Sequence, residues 1–274
     1  MVLDIPRSVL AALWAPRLGE APDPAQVAVA AQAVRGEADD APLTGPGGGP
    51  AGTWSSGTDD DVPRFTSTGF LPQVAGTAVL AVLPVPGDPV PLPAAARAAA
   101  NQAQQALVSG PPEGSAGVLR VAVPHEQPFG SQWEPGELLS WGVFSQPVDS
   151  RSWVPPVITM AEARTGLAEA LNLAIDTLVN MDVARWRDDA AEEIAMLGSD
   201  ELPTELVSRI PPGMDARRLH VLSRAVRLRA IVELATEDDG AAVNSWQADQ
   251  RTAALRHVAT AARSALTAVS VSGF

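Results

Sequence analysis

Apolar positions recur at helical spacing from the first residues of the chain. Val9, Leu10, Leu13 and Trp14 mark a helix over Pro6 to Arg17, and Asp23 with Gln26 makes a capping-box-like start to a second one ending near Val34. The pattern then breaks: across residues 36–64, Gly, Pro, Ser and Asp displace nearly every apolar residue, the composition of a flexible linker or long surface loop. Short apolar runs come next. Gly76 to Asp88 reads as a buried strand closed by a Pro-Gly-Asp turn, and Pro93 to Val108 suits a helix with proline in its first turn. Gly117 to Val123 and Glu137 to Phe144 complete a β-α-β-β module over residues 65–157. Its strand-helix-strand crossover predicts a parallel pair.

Beyond Thr159 the period becomes helical throughout. Thr159 and Glu162 form a capping box for a long helix to about Leu197, kinked or split near Asn180. A short turn spans Thr204 to Ile210. Asp215 then caps a helix to about Thr236, and a last helix runs from Ala241 to near Val269. In that last helix Leu255, Val258, Ala262, Ala265 and Val269 share a face, whereas Asp249, Arg256 and Arg263 lie on another. The helix after Asp215 is apolar on two sides, which suits an interior position. The expected fold is α+β and predominantly helical: N-terminal helices over 1–35, a linker over 36–64, a small α/β module over 65–157 and a C-terminal antiparallel helical bundle over 158–274.

Composition narrows the function classes. A hydrophobic share of 46% against 19% charged residues is that of a folding chain. The absence of cysteine excludes disulfides and thiolate metal sites, and nothing points to an oxidising compartment. The N-terminal apolar stretch comes after Asp4 and lacks a cleavage signature, and no run reaches the roughly 18 apolar residues that a membrane span needs. A cytoplasmic protein without membrane association is therefore expected. The net charge of −13 opposes phosphate backbones, so nucleic acid is not an expected partner. Every basic residue is arginine, a skew that fits coding bias in a GC-rich genome and carries no chemistry.

Several constellations invite a chemical reading. Arg217, His220, Arg224 and Arg227 recur at steps of three and four, making a positive ridge on one helix. The ridge reads as an anion or acidic-partner site, or more simply as a face paired with carboxylates of the long helix such as Asp182, Asp189 and Glu192. Asp188, Asp189, Glu192 and Glu193 place two carboxylate pairs at i, i+4, a hard-cation arrangement whose ordinary explanation is a solvated face. His125 is the best candidate general base among three histidines, with Glu126 adjacent and Ser131 or Ser140 as nucleophiles, but no nucleophile-elbow motif accompanies them. GPGGGP at 45–50 lacks the Lys-Ser/Thr of a phosphate loop and reads as a flexible loop.

Aromatics concentrate in one region. Phe129, Trp133, Trp141, Phe144 and Trp153 form either a binding surface, since tryptophan supplies rigid area with a polar N–H, or the core of the small module.

At VARWRDDAAEEI (183–194) and AIVELATEDDGAAVNSWQADQRTAALR (230–256) the chain resembles uncharacterised conserved proteins of actinobacteria. The resemblance lies mostly in the C-terminal part, implies no activity, and agrees with the GC-rich bias and a cytoplasmic location. The favoured reading is a non-enzymatic interaction or regulatory protein without cofactor or metal, binding another protein or a second copy of itself. The alternative is a small-molecule-binding protein or hydrolase with a pocket between the α/β module and the bundle, lined by His125, Trp141 and Arg224.

Overall fold

The computed structural model describes residues 3–40, 62–88, 90–111, 117–131, 133–148, 158–180, 202–237 and 245–273. Their elements in chain order are α1 (Arg7–Leu18), α2 (Pro24–Arg35), β1 (Asp39–Asp40), β2 (Arg64–Phe65), α3 (Ser67–Val74), β3 (Ala78–Val82), α4 (Ala94–Ala103), β4 (Ala106–Gly110), β5 (Gly117–Ser131), β6 (Glu134–Val148), α5 (Met160–Asn180), α6 (Thr204–Arg209), α7 (Ala216–Glu237) and α8 (Ser245–Ser270). The fold is α+β with helix predominating. The chain divides into two compact units: residues 1–5, 157–207 and 213–269 form one, and residues 6–156, 208–212 and 270–274 the other.

The second unit is built on a mixed six-stranded sheet of order β1-β6-β5-β4-β3, with β2 also paired to β6. One face carries Leu80, Val82, Ala106, Val108, Leu119, Val121, Val123 and Phe144, buried together with Ala96 and Ala100 of α4. Because side chains alternate along a strand, the neighbours of these residues face the other way. There Trp141 stacks on Phe70 of α3 with ring centroids 4.6 Å apart, and its indole N–H donates to Ser67 Oγ at 3.3 Å. Helix α1 covers the same face, packing on β3, β4 and α3, and α2 lies against both helices.

Two expectations for this module are corrected. The helix begun at Pro93 ends at Ala103, because Gln104 takes a left-handed conformation. Residues 106–110 are not its last turn but strand β4, buried at all five positions as a central strand must be. β4 inserts between the strands expected to form a parallel pair, and it is antiparallel to both. β3 and β5 thus do run in the same direction, but they are not neighbours. Helix α3 and the two-residue strands β1 and β2 have no counterpart in the sequence pattern. Thr66 caps α3 by accepting from Gly69 N–H at 3.1 Å, and Asp40 accepts from Ser67 N–H at the same distance.

The free edge of the sheet at β3 is closed by the chain itself. Val79 and Ser272 exchange backbone hydrogen bonds of 2.8 and 2.9 Å, and Ser270 Oγ accepts from Ala81 N–H at 2.7 Å. A covered edge cannot template pairing with another chain.

The first unit contains α5, α7 and α8. Ala163, Leu167 and Ala170 make a buried stripe on α5, which packs against α7. On α7 every residue from Val221 to Leu228 except Arg224 is buried, as the two-sided apolar pattern implied. Val258, Ala262, Ala265 and Val269 are buried on α8, with Leu255 half-buried. Arg218 of α7 donates through Nε to the Val269 carbonyl, satisfying an end-of-helix acceptor on α8. Asp215 caps α7, accepting from Arg217 N–H at 3.0 Å and Arg218 N–H at 3.2 Å.

The capping box of α5 is formed as expected. Glu162 accepts from the Thr159 N–H and hydroxyl, both at 2.7 Å, and Thr159 Oγ1 accepts from Glu162 N–H at 3.2 Å. The backbone N–H of Thr159, and then its hydroxyl, hold the carboxyl of Glu162 below its ordinary value. A depressed carboxyl pKa contributes stability above the ordinary glutamate range and loses it as pH falls through the depressed value. In an NMR titration of the side chain, Glu162 is expected to protonate below the ordinary glutamate range, and Thr159→Ala, which removes the hydroxyl but keeps the backbone N–H, to bring it part of the way back. An unchanged titration in the variant would contradict the cap.

Candidate functional site

The site grows from the pairing of β5 with β6, in register from Gly117 opposite Val148 to Ser131 opposite Glu134. β4 accompanies β5 only as far as Ala122, and β1 accompanies β6 at Leu138 and Leu139. Beyond those partners the two strands continue as a ribbon of residues 128–131 and 133–137, which at about 3.4 Å per residue extends its ends well clear of the sheet. Short isolated ribbons are marginal in water, so this one needs support at its root.

Arg7 supplies that support. Its Nε lies 3.3 Å from Glu126 and its Nη2 3.2 Å from Glu137, one carboxylate on each strand. Its Nη1 donates to the carbonyls of Val34, at 3.1 Å, and Arg35 at the end of α2. A cation suits a helix C-terminus, where orphan carbonyls gather. Arg209 does the same from another side, donating to Ala33 at 2.9 Å and Val34 at 3.3 Å. A side chain at Gly36 would press on both guanidinium groups, and its φ of +64° also favours glycine.

The prolines of the ribbon sit where they cost no ladder bond. Val143 N–H donates to Pro63 on the β2 side, so it is turned away from β5, and by the alternation of antiparallel strands so are positions 135 and 147. Their partners on β5 share that phase, which includes 124 and 128. Pro124, Pro128, Pro135 and Pro147 therefore all take outward positions, leaving the ladder whole and removing donors from the edges.

At the tip, Ser131 Oγ accepts from the N–H groups of Trp133 and Glu134, both at 3.2 Å. The Phe129 ring lies across Gly136, its register partner, where any Cβ would collide with it. A Cβ on Gly130, at φ +88°, would likewise strike the Glu134 carbonyl. The turn thus presents Trp133 at 84% exposure and Phe129 at 46%.

On the α4 side of the ribbon's root lies a cleft of about 450 Å³. Val123, Gly142 and Phe144 form its floor, Ala99, Gln102, Ala103 and Gln105 one wall, and Arg64 and His125 stand at its rim. Gly142 is paired with Arg64 on one side and Val123 on the other, so the absence of a side chain there opens the floor between them.

The fold scatters the residues singled out from the sequence. Trp133 is exposed at the tip, whereas Trp141 is fully buried in the core, and Trp153 lies outside the described residues. His125 is exposed and opposite Ser140, which is buried. Ser131 is six residues away in the turn, and Glu126 faces the opposite side of the sheet, where Arg7 holds it. Arg217 and His220 are exposed, Arg224 is half-buried and Arg227 is buried, so the arginine stripe is not one solvent-facing ridge. His125 and Trp141 belong to one unit and Arg224 to the other. Asp182, Asp188, Asp189, Glu192, Glu193 and the Gly-rich 45–50 stretch lie outside the described residues. Among the described residues no group of His, Asp or Glu is gathered as metal ligands, and no helix is long and apolar enough to cross a membrane.

Sequence reasoning misses Arg7, Arg64 and Gln105. Their signals are faint: Arg64 ends the stretch that reads as linker, and Arg7 is the first residue of an otherwise apolar helix.

Residues 161–267 match the family described as Rv1486c-like protein, C-terminal domain, which contains both segments that carry the resemblance to uncharacterised proteins. That description names no activity. No curated protein and no solved structure matches the chain.

The tip and the turn make separable demands. Gly130→Val is expected to lower stability by about 1–3 kcal/mol through backbone strain, whereas Trp133→Ala should change it by less than about 0.5 kcal/mol. Urea unfolding of both variants measures the difference, and a destabilised Trp133→Ala would mean that the indole is part of the fold.

Proposed function

We propose that this chain is a cytoplasmic protein-interaction module, regulatory rather than enzymatic, whose contact element is the tip of the β5–β6 ribbon. The observation that carries this reading is Trp133, 84% exposed on a turn that Ser131, Gly130 and Phe129 hold in shape. An exposed tryptophan on an ordered support presents roughly 150–250 Å² of rigid area at little entropic cost, and such residues dominate the energetics of interfaces. The outward prolines remove edge donors and so disfavour recognition by strand addition, which leaves contact to the side chains.

Charge defines the partner. Glu134 stands exposed beside Trp133 and the chain carries a net −13, which favours an apolar pocket with a basic rim. In this reading α5, α7 and α8 form an antiparallel bundle that serves as a second part of the scaffold.

A photo-crosslinking residue placed at position 133 in the native host tests the idea, with the same residue at the exposed helical position Ala28 as reference. One dominant adduct at 133, absent at 28 and lost on Phe129→Ala, is the expected result, and its mass tells a heterologous partner from a second copy. An adduct pattern no different from that at position 28 would overturn the reading.

A further inference from the structure

The cleft at the root of the ribbon has a chemistry that the interaction reading does not use. An arginine stands at its mouth. Arg64 is exposed on β2, shares the sheet face of its register partner Gly142, lines the cleft, and forms no ion pair among the described residues. Gln105 also lines the cleft, and its side-chain Oε1 accepts from Ser8 N–H of α1 at 3.0 Å. Gln102 and His125 add further polar atoms at the same rim. Glu126 also borders the cleft, but its carboxylate is engaged by Arg7 on the opposite face. An anion entering the cleft would therefore meet Arg64 at its mouth.

The floor and walls are apolar and small. Val62, Ala99, Ala103, Val123 and Phe144 surround the space left by Gly142. Concave apolar walls with a few convergent polar groups are the ordinary makeup of a small-molecule site.

From these features we infer that the cleft binds a small organic anion, its carboxylate or phosphate held by Arg64 at the mouth and its apolar part resting on Val123 and Phe144. The site lies within the second unit and is independent of the ribbon tip. Gly142 sets its depth: a Cβ there would meet only Val62 Cγ1 at 3.5 Å and the Val123 carbonyl at 3.9 Å, which is ordinary contact. A larger side chain at 142 would fill the cleft without disturbing the sheet.

Ligand-observed NMR on the full chain provides the test, with phenyl phosphate and benzoate as anionic probes and benzyl alcohol as the neutral one. Saturable binding of at least one anion and none of the alcohol is expected. Arg64→Ala should weaken that binding by about tenfold or more, as loss of a charge-assisted hydrogen bond does, and Gly142→Leu should abolish it while the fold, monitored by circular dichroism, is retained. Binding of benzyl alcohol as tight as that of the anions, anion binding indifferent to Arg64→Ala, or no anion binding at all would each overturn the inference.

Discussion

The pairing of β5 with β6 is the constraint on which the second unit depends. The ladder carries the apolar face that α4 buries through Val121, Val123 and Phe144, and the opposite face where Trp141 meets Phe70. It also anchors β1 and β2, which both pair with β6 and have no sheet without it. Register is unforgiving here, because a slip by one residue would turn Trp141 toward α4 and His125 toward Arg7. Burial on both faces fixes one register, and the chain then has no freedom in where the ribbon's tip falls.

That single choice places both candidate sites. Outward from Ala122 the sheet loses β4, and beyond Leu138 it loses β1 as well, so the ribbon continues on the strength of Arg7, which binds one carboxylate on each strand and the carbonyls that end α2. Inward of that point the strands are covered by α4, and at the boundary between covered and uncovered sheet Gly142 leaves a cleft. The proposed contact surface and the proposed small-molecule site thus arise from the same transition, one at the far end of the ribbon and one at its root.

Much of the architecture is legible in the sequence, and the gaps have physical causes. Caps announce helices through local chemistry, so Asp23, Thr159 and Asp215 act where the sequence pattern places them. Strand lengths are not legible in this way: both long strands read as stopping at prolines or turn-forming residues, since a proline in a strand normally removes a ladder bond. Only the phase of the pairing shows that Pro124, Pro128 and Pro135 all face outward, and phase is a tertiary property. Ala106 to Val108 reads as helix because a short apolar run has no period of its own.

Candidate residues show the same division. Trp133 and Trp141 are indistinguishable by composition, yet the first is on a turn and the second at a paired core position. The closeness of His125 and Glu126 in sequence suggests cooperation, whereas adjacent residues on a strand face opposite sides. Arg64 and Gln105 come from segments with no chemical signature, and it is the pairing of β2 with β6 and the end of α4 that bring them to one cleft.

The central claim is that the ribbon is an ordered extension of the sheet. Amide hydrogen exchange measured by NMR tests it most directly. The amides of Gln127, Phe129, Gly136 and Leu138, which point into the β5–β6 ladder, are predicted to exchange far more slowly than unstructured peptide, though faster than those of Val121 and Phe144 within the sheet. Exchange at unstructured rates from 127 to 138 would show that Trp133 rides on a loose loop, and would contradict the account.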